Sequence, residues 1–149
     1  MILIRYAKPG DEKDILLLIK ELAVYEKEPD AVVNTEKEIH SHLFDEKICE
    51  AIVAIANDEI IGFALFYTSY STWKGKCLYL EDLYVKAHMR RSGAGKKLFE
   101  HVASIARSKQ VRRMEWQVYD WNQPAIDFYI KLNAKMSGEW LNGRIEFDY

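Results

Sequence analysis

The segment from Leu80 to Gly95 reads LEDLYVKAHMRRSGAG. It begins as an apolar run typical of a strand and ends in a basic turn with two glycines, just before a segment with helical periodicity. Two carboxylates, Glu81 and Asp82, stand side by side within the strand, where burial without a partner costs several kcal/mol. A substrate cleft would relieve that cost. The segment therefore predicts a strand–turn–helix unit with a polar site on its strand.

The turn at the end of this segment has the chemistry of an anion site. The first turn of a helix leaves N–H groups unpaired and its peptide dipoles aligned. Gly93 and Gly95 remove side chains that would keep a ligand away from the backbone. The dipole contributes only about 0.3–1 kcal/mol, so N–H bonds and nearby cationic side chains must supply the rest. A solvated basic turn is the alternative, and the spacing matches neither a P-loop nor a dinucleotide-binding motif.

Outward from this unit, strands and helices alternate irregularly along the chain. The predicted class is α/β (α+β), one domain over residues 1–149 with a mixed central sheet of about six to seven strands flanked by about four helices. The predicted strands are Ile2–Tyr6, Ala51–Ala56, Ile60–Tyr67, Cys77–Val85, Met114–Tyr119, one near Trp140 and Ile145–Tyr149. The predicted helices follow Asp11 and Thr35 as N-caps and occupy Gly93–Ser108 and Gln123–Leu132. Hairpin turns are predicted at Asn57-Asp58-Glu59 and at Asn142-Gly143, and a loop at Tyr67–Lys76.

Composition narrows the function classes. The 149 residues include 21 Lys and Arg and 23 Asp and Glu, for a net charge of −2, which argues against general nucleic-acid binding. No apolar run approaches the roughly 20 residues of a membrane helix, and the first residues lack the layout of a signal peptide. We therefore expect a cytoplasmic protein. Cys49, Cys77 and the four histidines lack metal-ligand spacing, so no metal site is predicted.

Longer stretches resemble one enzyme family. Arg90-x-x-Gly93-x-Gly95 is similar to the R/Q-x-x-G-x-G/A signature of the GNAT family of N-acetyltransferases. The stretches YSTWKGKCLYLEDLYV (Tyr70–Val85), DWNQPAIDFY (Asp120–Tyr129) and LIKELAVYEKEPD (Leu18–Asp30) resemble its diamine acetyltransferase branch, the spermidine/spermine and thialysine enzymes. The resemblance implies the GNAT fold. It also implies acetyl-CoA-dependent N-acetylation of a small cationic amine by direct attack in a ternary complex, in a homodimer.

The resemblance assigns catalytic roles to Glu81 and Tyr129. A primary amine with a pKa near 10.4 is neutral in only about one molecule per few thousand at pH 7, so it needs a base, which is the role of Glu81. Tyr129 would protonate the thiolate that leaves, and Asp82 would help to hold the ammonium group. The alternatives are that both acids pair with cations across the sheet and that Tyr129 is a core aromatic.

The resemblance also implies binding residues. A first set would hold the coenzyme through a strand edge, the basic turn and the start of the last helix: Leu83, Tyr84, Val85, Arg90, Arg91, Ser92, Gly93, Ala94, Gly95, Lys96, Asn122, Gln123, Pro124 and Ala125. A second set would face the amine: Tyr25, Glu26, Ser71, Trp73, Asp82, Glu115, Trp116, Gln117 and Glu139. The alternatives are ordinary surface positions and, for Asn122, a helix N-cap.

Three departures from the family pattern bear on these roles. Asn133 stands where the family usually has Gly, and Asn tolerates the left-handed conformation of a helix C′ position. Arg91 stands at a position that is often Gly in the family. The chain is short between Ala134 and Trp140, which leaves the role of Glu139 open. Two rival functions remain, a protein lysine or N-terminal acetyltransferase and a non-catalytic acyl-CoA sensor. The presence of both Glu81 and Tyr129 argues against the sensor, since binding alone requires neither.

Overall fold

A five-stranded sheet forms the centre of the first part of the chain. Its strands are β1 (Leu3–Tyr6), β2 (Glu50–Ala56), β3 (Glu59–Ser71), β4 (Gly75–Val85) and β5 (Met114–Glu115), in that order across the sheet. Neighbouring strands are antiparallel except β4 and β5, which are parallel. The computed structural model describes residues 1–149, and they group into two compact units, Met1–Trp116 and Gln117–Tyr149. The single domain stays a prediction.

Helices cover both faces of this sheet in the first unit. They are α1 (Glu12–Tyr25), α2 (Glu36–His40) with a π-helical turn at Ser41–Asp45, and α3 (Ala94–Ser108), which follows a 3₁₀ turn at Ala87–Met89. The apolar stripe of α3, including Leu98 and Val102, packs on one face of the sheet. Ile15 of α1 and Ile39 of α2 pack on the other face. The helical periodicity of the segment after Gly93 predicted the stripe of α3.

Short-range signals explain how the first unit's elements begin. Asn57 and Asp58 both adopt left-handed φ, at 51° and 64°, which gives the two-residue turn of the predicted β2–β3 hairpin. Thr35 caps α2, because its hydroxyl accepts the Glu38 N–H at 3.2 Å as predicted. Asp11 does precede α1, but its carboxylate makes no capping hydrogen bond. It accepts hydrogen bonds from Arg5 and from the Lys8 N–H instead.

The second unit contains α4 (Gln123–Lys131). Its N-cap is Asn122, whose side chain accepts the Ala125 N–H at 3.4 Å. It ends in a Schellman motif, with Asn133 at φ 67° and the Ala134 N–H donating to the Tyr129 carbonyl at 3.1 Å. The prediction that Asn133 adopts the left-handed cap conformation is confirmed.

The predicted mixed sheet and four α-helices are confirmed, but the strand count was too high. Residues 134–149 form no regular secondary structure, so the strands near Trp140 and at Ile145–Tyr149 are absent. Alternating apolar residues indicated those strands, yet no strand lies beside them, and Ile145 and Phe147 are 82% and 75% exposed. The strand predicted at Met114–Tyr119 pairs only over Met114–Glu115.

The segment Tyr67–Lys76 was predicted to be a loop, but it forms the end of a long β-hairpin. Here β3 continues to Ser71 and β4 starts at Gly75, with Tyr67 opposite Tyr79 and Ser69 opposite Cys77. The polar residues misled the prediction because a hairpin arm that projects from a sheet does not need an apolar face. Its turn is closed by the Ser71 hydroxyl, which accepts the N–H groups of Trp73 and Lys74 at 3.2 and 3.1 Å.

Candidate active site

The acid pair of β4 lies at an irregularity of the sheet. Leu65 of β3 is opposite Asp82, and the next residue, Phe66, is opposite Leu80. Glu81 therefore has no partner on β3 and forms a β-bulge. A bulge inserts one extra residue and changes the direction of the side chains that follow. The two adjacent acids of the opening segment stand at this insertion.

The bulge places both acids on the same face of the sheet. Before it, Leu80 packs in the core under α3; after it, Leu83 packs against the same core. Residues on one face of a regular strand are two positions apart. The core-facing residues change from an even number, Leu80, to an odd number, Leu83, which marks a slip of one position at the bulge. Glu81 and Asp82 consequently both face the α1 side. The slip was visible in the sequence as a change in apolar alternation, but the prediction did not use it.

A third carboxylate joins the pair from the end of α1. Glu26 is the C-cap residue of that helix, and we call Glu26, Glu81 and Asp82 the acidic group. Burial and the charges of Glu81 and Glu26 raise the pKa of Asp82 to about 7. Burial and the Glu81 charge also raise the pKa of Glu26. None of the ion pairs in the structure involves these three residues, so their mutual repulsion is not offset by a protein cation.

Two tyrosines line the acidic group, and the sequence prediction missed both. The Tyr67 hydroxyl donates to Glu81 Oε1 at 3.4 Å, and the Tyr79 ring packs on the Tyr67 ring with centroids 5.4 Å apart. Burial and the Glu81 charge raise the pKa of both phenols, that of Tyr79 to about 12. Both therefore stay protonated at neutral pH. Their signal was positional: Tyr79 stands two residues before Glu81, and Tyr67 is the β3 residue opposite Tyr79.

Arg90 connects the basic turn to the end of α1. Its guanidinium lies 5.0 Å from the centroid of the Tyr25 ring and 5.5 Å from that of the Tyr84 ring. Its Nε donates to the Val85 carbonyl at 3.4 Å. Tyr84 in turn donates to Glu21 of α1 at 3.3 Å. These cation–π and hydrogen-bond contacts place predicted coenzyme residues and the predicted amine residue Tyr25 in one cluster.

The basic turn presents backbone donors at the start of α3. Gly93 has φ 90°, and a Cβ added there would meet no atom within 4 Å. The N–H groups of Gly93, Gly95 and Lys96 have no protein acceptor, whereas that of Ala94 donates to the Ser92 hydroxyl at 3.3 Å. Three unpaired donors beside an open backbone fit the oxygens of an anionic group.

Two cationic residues of this turn, Arg91 and Lys96, carry exposed side chains. Arg91 adopts φ 65°, the left-handed conformation that favours the Gly usual in the family at this position. The Lys96 ammonium lies 3.6 Å from Glu100 on the next turn of α3. Both side chains are exposed, so both charges are available to a ligand at the turn.

The predicted coenzyme strand has an open edge in the first unit. β5 pairs with β4 only at Leu78 and Tyr79, so no strand of this unit continues the sheet beside Leu83–Val85. Such an edge presents main-chain donors and acceptors to an extended ligand.

The hairpin tip stands apart from the acidic group. Ser71 is five residues along β3 from Phe66, about 15–20 Å at the usual rise per residue, and Trp73 is 89% exposed at the turn. The structure therefore does not bring Ser71 and Trp73 together with Glu81. Glu115 lies opposite Tyr79 and pairs with Arg113 at 2.9 Å.

Trp116 ends the first unit, and the remaining predicted residues belong to the second. The Trp116 ring meets the edge of Phe99 of α3 at 5.2 Å. In the second unit, Tyr129 is 8% exposed and makes an edge contact with Phe128 at 5.2 Å. The other predicted residues there have these settings: Asn122 caps α4, Gln123 donates to Asp127, Pro124 and Ala125 lie in the first turn, Gln117 donates to Asn142, and Glu139 is exposed. Their roles stay predictions.

Two further properties of the whole chain are plain from its structure. None of its helices has both the length and the apolar character needed to span a bilayer. No three or more His, Cys, Asp and Glu side chains are grouped so that they could hold a metal ion.

Comparison with known proteins gives consistent matches. The model of the acetyltransferase (GNAT) family matches residues 17–133. The chain is 40% identical over 143 residues to thialysine N-epsilon-acetyltransferase of Bos taurus, a match that covers 90% of this chain and 84% of that protein. It is 36% identical over 139 residues to spermidine/spermine N(1)-acetyltransferase-like protein 1 of Homo sapiens, covering 88% of this chain and 20% of that protein. These matches confirm the resemblance found in the sequence.

The fold is also similar to solved structures. An aminoglycoside acetyltransferase from an uncultured soil metagenomic sample superposes with a TM-score of 0.81 at 18% identity. The match covers 99% of this chain and 97% of that one. At this identity the likeness is one of fold.

Proposed function

The chain belongs to the acetyltransferase (GNAT) family, and from that premise we propose that it transfers an acetyl group from acetyl-CoA to the primary amine of a small cationic amine. The substrates that we propose are diamines, polyamines and lysine-like amines. The names of its relatives support this class, since they include a thialysine enzyme and a protein related to spermidine/spermine enzymes.

One observation carries the proposal: the acidic group has three carboxylates on one face and no protein cation. Burial, and then the repulsion by Glu81 and Glu26, raise the pKa of Asp82 to about 7. An ammonium group that entered this site would offset the repulsion, so the site favours a cation by its own electrostatics. Tyr67 and Tyr79 add ring faces suited to an aliphatic ammonium.

Within this site, Glu81 is the proposed proton acceptor. Its side chain is exposed, so it can take the proton of the ammonium group, directly or through a water, and return it to solvent. Asp82 is half-buried beside it and contributes charge that holds the ammonium. Tyr129 of α4 is the proposed donor of a proton to the departing sulfur.

The residues of the basic turn fit the coenzyme. Backbone N–H groups of Gly93, Gly95 and Lys96 would hold its diphosphate, with Arg91 and Lys96 adding charge. The open edge at Leu83–Val85 would pair with its pantetheine arm, and Asn122–Ala125 would contact it from the start of α4. Acetyl-CoA supplies an acetyl group activated as a thioester, whose carbon–sulfur bond breaks as the amine nitrogen gains the acetyl carbon.

The proposed transfer is direct and needs no acylated cysteine. Cys77 is fully buried. Burial and the Glu50 charge raise the pKa of the Cys49 thiol, which lowers its thiolate fraction at neutral pH. Neither cysteine is therefore a good nucleophile.

A homodimer and a cytoplasmic location stay predictions. Exposed apolar side chains support a protein contact: Trp73 at the hairpin tip and Ile145 and Phe147 in the last residues are each at least three-quarters exposed.

A thiol-release assay tests the proposal. Purified chain and acetyl-CoA are mixed with lysine, thialysine, putrescine, spermidine, amino sugars or short peptides, and coenzyme A release is followed. We expect release that depends on a small cationic amine, that Glu81→Gln reduces strongly and that Glu36→Gln, at an exposed position of α2, leaves unchanged. Release with peptides alone would favour the protein acetyltransferase, and no stimulation by any amine would refute the proposal.

A further inference from the structure

A cavity of about 370 Å³ lies beside the segment that follows α2, outside the acidic group. That volume falls in the range of small-ligand sites. Its apolar wall comes from the segment after α2 and from β2, with Leu43, Phe44, Ile48 and Ala51. Its polar wall comes from Tyr6, Lys47, Cys49, Glu50, Tyr67 and Lys109.

The charge of this cavity is the reverse of that of the acidic group. Of its three charged residues, Lys109 and Glu50 form an ion pair with each other. Lys47 forms no ion pair, so it leaves one positive charge at the cavity. A ligand group that satisfies this charge is an anion.

Tyr67 joins the cavity to the acidic group. It lines the cavity, and its hydroxyl donates to Glu81 at 3.4 Å. Ala51 of the cavity lies on β2 opposite Leu65 of β3, and Leu65 lies opposite Asp82 of β4, so this wall of the cavity and the acid pair are two strands apart. Two strand spacings are about 10 Å, which suits an extended amino acid with an amine at the end of its side chain.

Resting on the proposed function, we propose that this cavity binds the carboxylate end of an amino acid substrate. Lys47 pairs with the carboxylate while the side-chain amine reaches Glu81 and Asp82. Lys47 is thus a specificity residue that favours amino acids with a terminal amine over diamines of the same length, which lack the carboxylate. The apolar wall contacts the methylene groups between the two ends.

Cys49 offers a test that does not depend on turnover. Its thiol is half-buried in the cavity wall, whereas Cys77 is fully buried and serves as an internal control for folding. Alkylation of Cys49 is followed by mass spectrometry at mildly alkaline pH, without acetyl-CoA. L-Lysine or L-ornithine at millimolar concentration is compared with cadaverine or putrescine, the corresponding diamines.

We expect the amino acids to slow alkylation and the diamines to have much less effect. In Lys47→Gln, protection by amino acids should weaken about three- to tenfold, as expected for one ion pair at a partly exposed site. Lys37→Gln, an exposed change on α2 outside the cavity, should keep full protection. Equal protection by diamines, or undiminished protection in Lys47→Gln, would overturn the assignment.

Steady-state rates distinguish a failure of the carboxylate site from a failure of the proposed acetyltransferase function. Lys47→Gln should raise KM for the amino acid about three- to tenfold and leave KM for the diamine unchanged. If wild-type protein acetylates amines but Lys47→Gln affects both kinds equally, the carboxylate site is wrong and the proposed function stands. If no amine is acetylated, the proposed function itself fails.

Discussion

Asp11 at the start of α1 is buried and Asp82 after the bulge in β4 is half-buried, and their neighbours carry opposite charges. Asp11 accepts two hydrogen bonds from Arg5 and one from the Lys8 N–H. Burial alone would raise its pKa, but these bonds and the charges of Arg5 and Lys8 outweigh burial, and the pKa is lowered. Asp82 accepts no side-chain hydrogen bond and lies beside two further carboxylates, so its pKa is raised to about 7.

The comparison shows where this fold stores unfavourable electrostatic energy. A carboxyl group with a lowered pKa stabilises the folded chain when ionised, whereas a carboxyl group with a raised pKa destabilises it when ionised. Asp11 therefore belongs to the structural charges of the fold. Asp82 weakens the fold at neutral pH, and binding of a cation is the event that would recover that energy. The two residues should respond in opposite directions to the same substitution.

The largest effect is expected for Asp82→Asn. Because the folded pKa is raised, folded protein keeps a proton that unfolded protein loses between about pH 4 and 7, so stability falls through that range as pH rises. Asn carries no charge and removes this cost. Urea unfolding should show Asp82→Asn to be more stable than wild type by about 2–4 kcal/mol at pH 8, and by much less at pH 5.

The same variant should lose affinity for the amine. KM for the amine should rise by about 10- to 100-fold at pH 8, because a charged partner is removed, and its dependence on pH near 7 should disappear. Asp14→Asn, at an exposed position of α1, is the matched control and should change neither property much. A destabilised Asp82→Asn at pH 8 would contradict the comparison.

Asp11→Asn should act in the opposite direction. It breaks the bidentate contact with Arg5 and leaves the guanidinium partly buried without its partner. The expected loss of unfolding free energy is about 2–3 kcal/mol. Because the folded pKa of Asp11 is lowered, its stabilisation is fully present above its unfolded value and is lost only as pH falls towards the folded value. The deficit in urea unfolding should thus be equal at pH 6 and pH 8; a deficit that vanished at either pH would show that Asp11 is not a structural charge.

Local patterns explain which parts of this architecture could be predicted. The strand–turn–helix unit, the Asn57-Asp58 hairpin and the left-handed Asn133 follow from signals within a few residues. The strands predicted near the C-terminus are absent, because a strand needs a neighbouring strand to pair with. The alternation of apolar residues within one segment does not show whether such a neighbour exists.

The acidic group combines predicted and unpredicted parts. Resemblance indicated Glu26, Glu81 and Asp82, but not the bulge that turns two adjacent acids to one face. Tyr67 and Tyr79 escaped prediction because their role comes from pairing across two strands. The Asp11 carboxylate was expected to cap α1, but it pairs instead with Arg5, which lies six residues earlier in the chain.

Glu81→Gln removes a charged neighbour of Asp82 and leaves Asp82 itself unchanged. After burial, the charge of Glu81 is the largest cause of the raised pKa of Asp82, so this pKa should fall in the variant. The midpoint in the pH dependence of the amine KM, or of the Asp82 carboxyl signal in NMR, should move to lower pH by about 1. Glu100→Gln, at an exposed position of α3, should leave the midpoint unchanged. An unmoved midpoint in Glu81→Gln would show that the charge of Glu81 does not contribute to the raised pKa of Asp82.

The smallest effect is expected for Tyr67→Phe. Its hydroxyl is the only protein donor to the Glu81 carboxylate, whereas Asp11 receives three hydrogen bonds, and at 3.4 Å the single bond is long. Its loss should cost about 0.5 kcal/mol, seen as a two- to threefold fall in kcat at unchanged protein stability. Tyr79→Phe keeps the packed rings and donates to no acid in either form, so its kcat should match wild type. If both variants lose the same activity, the loss is not specific to the Tyr67–Glu81 hydrogen bond and the role assigned to that bond is wrong. If Tyr67→Phe alone loses activity, the one donor that β3 offers helps to hold Glu81 in place for the amine.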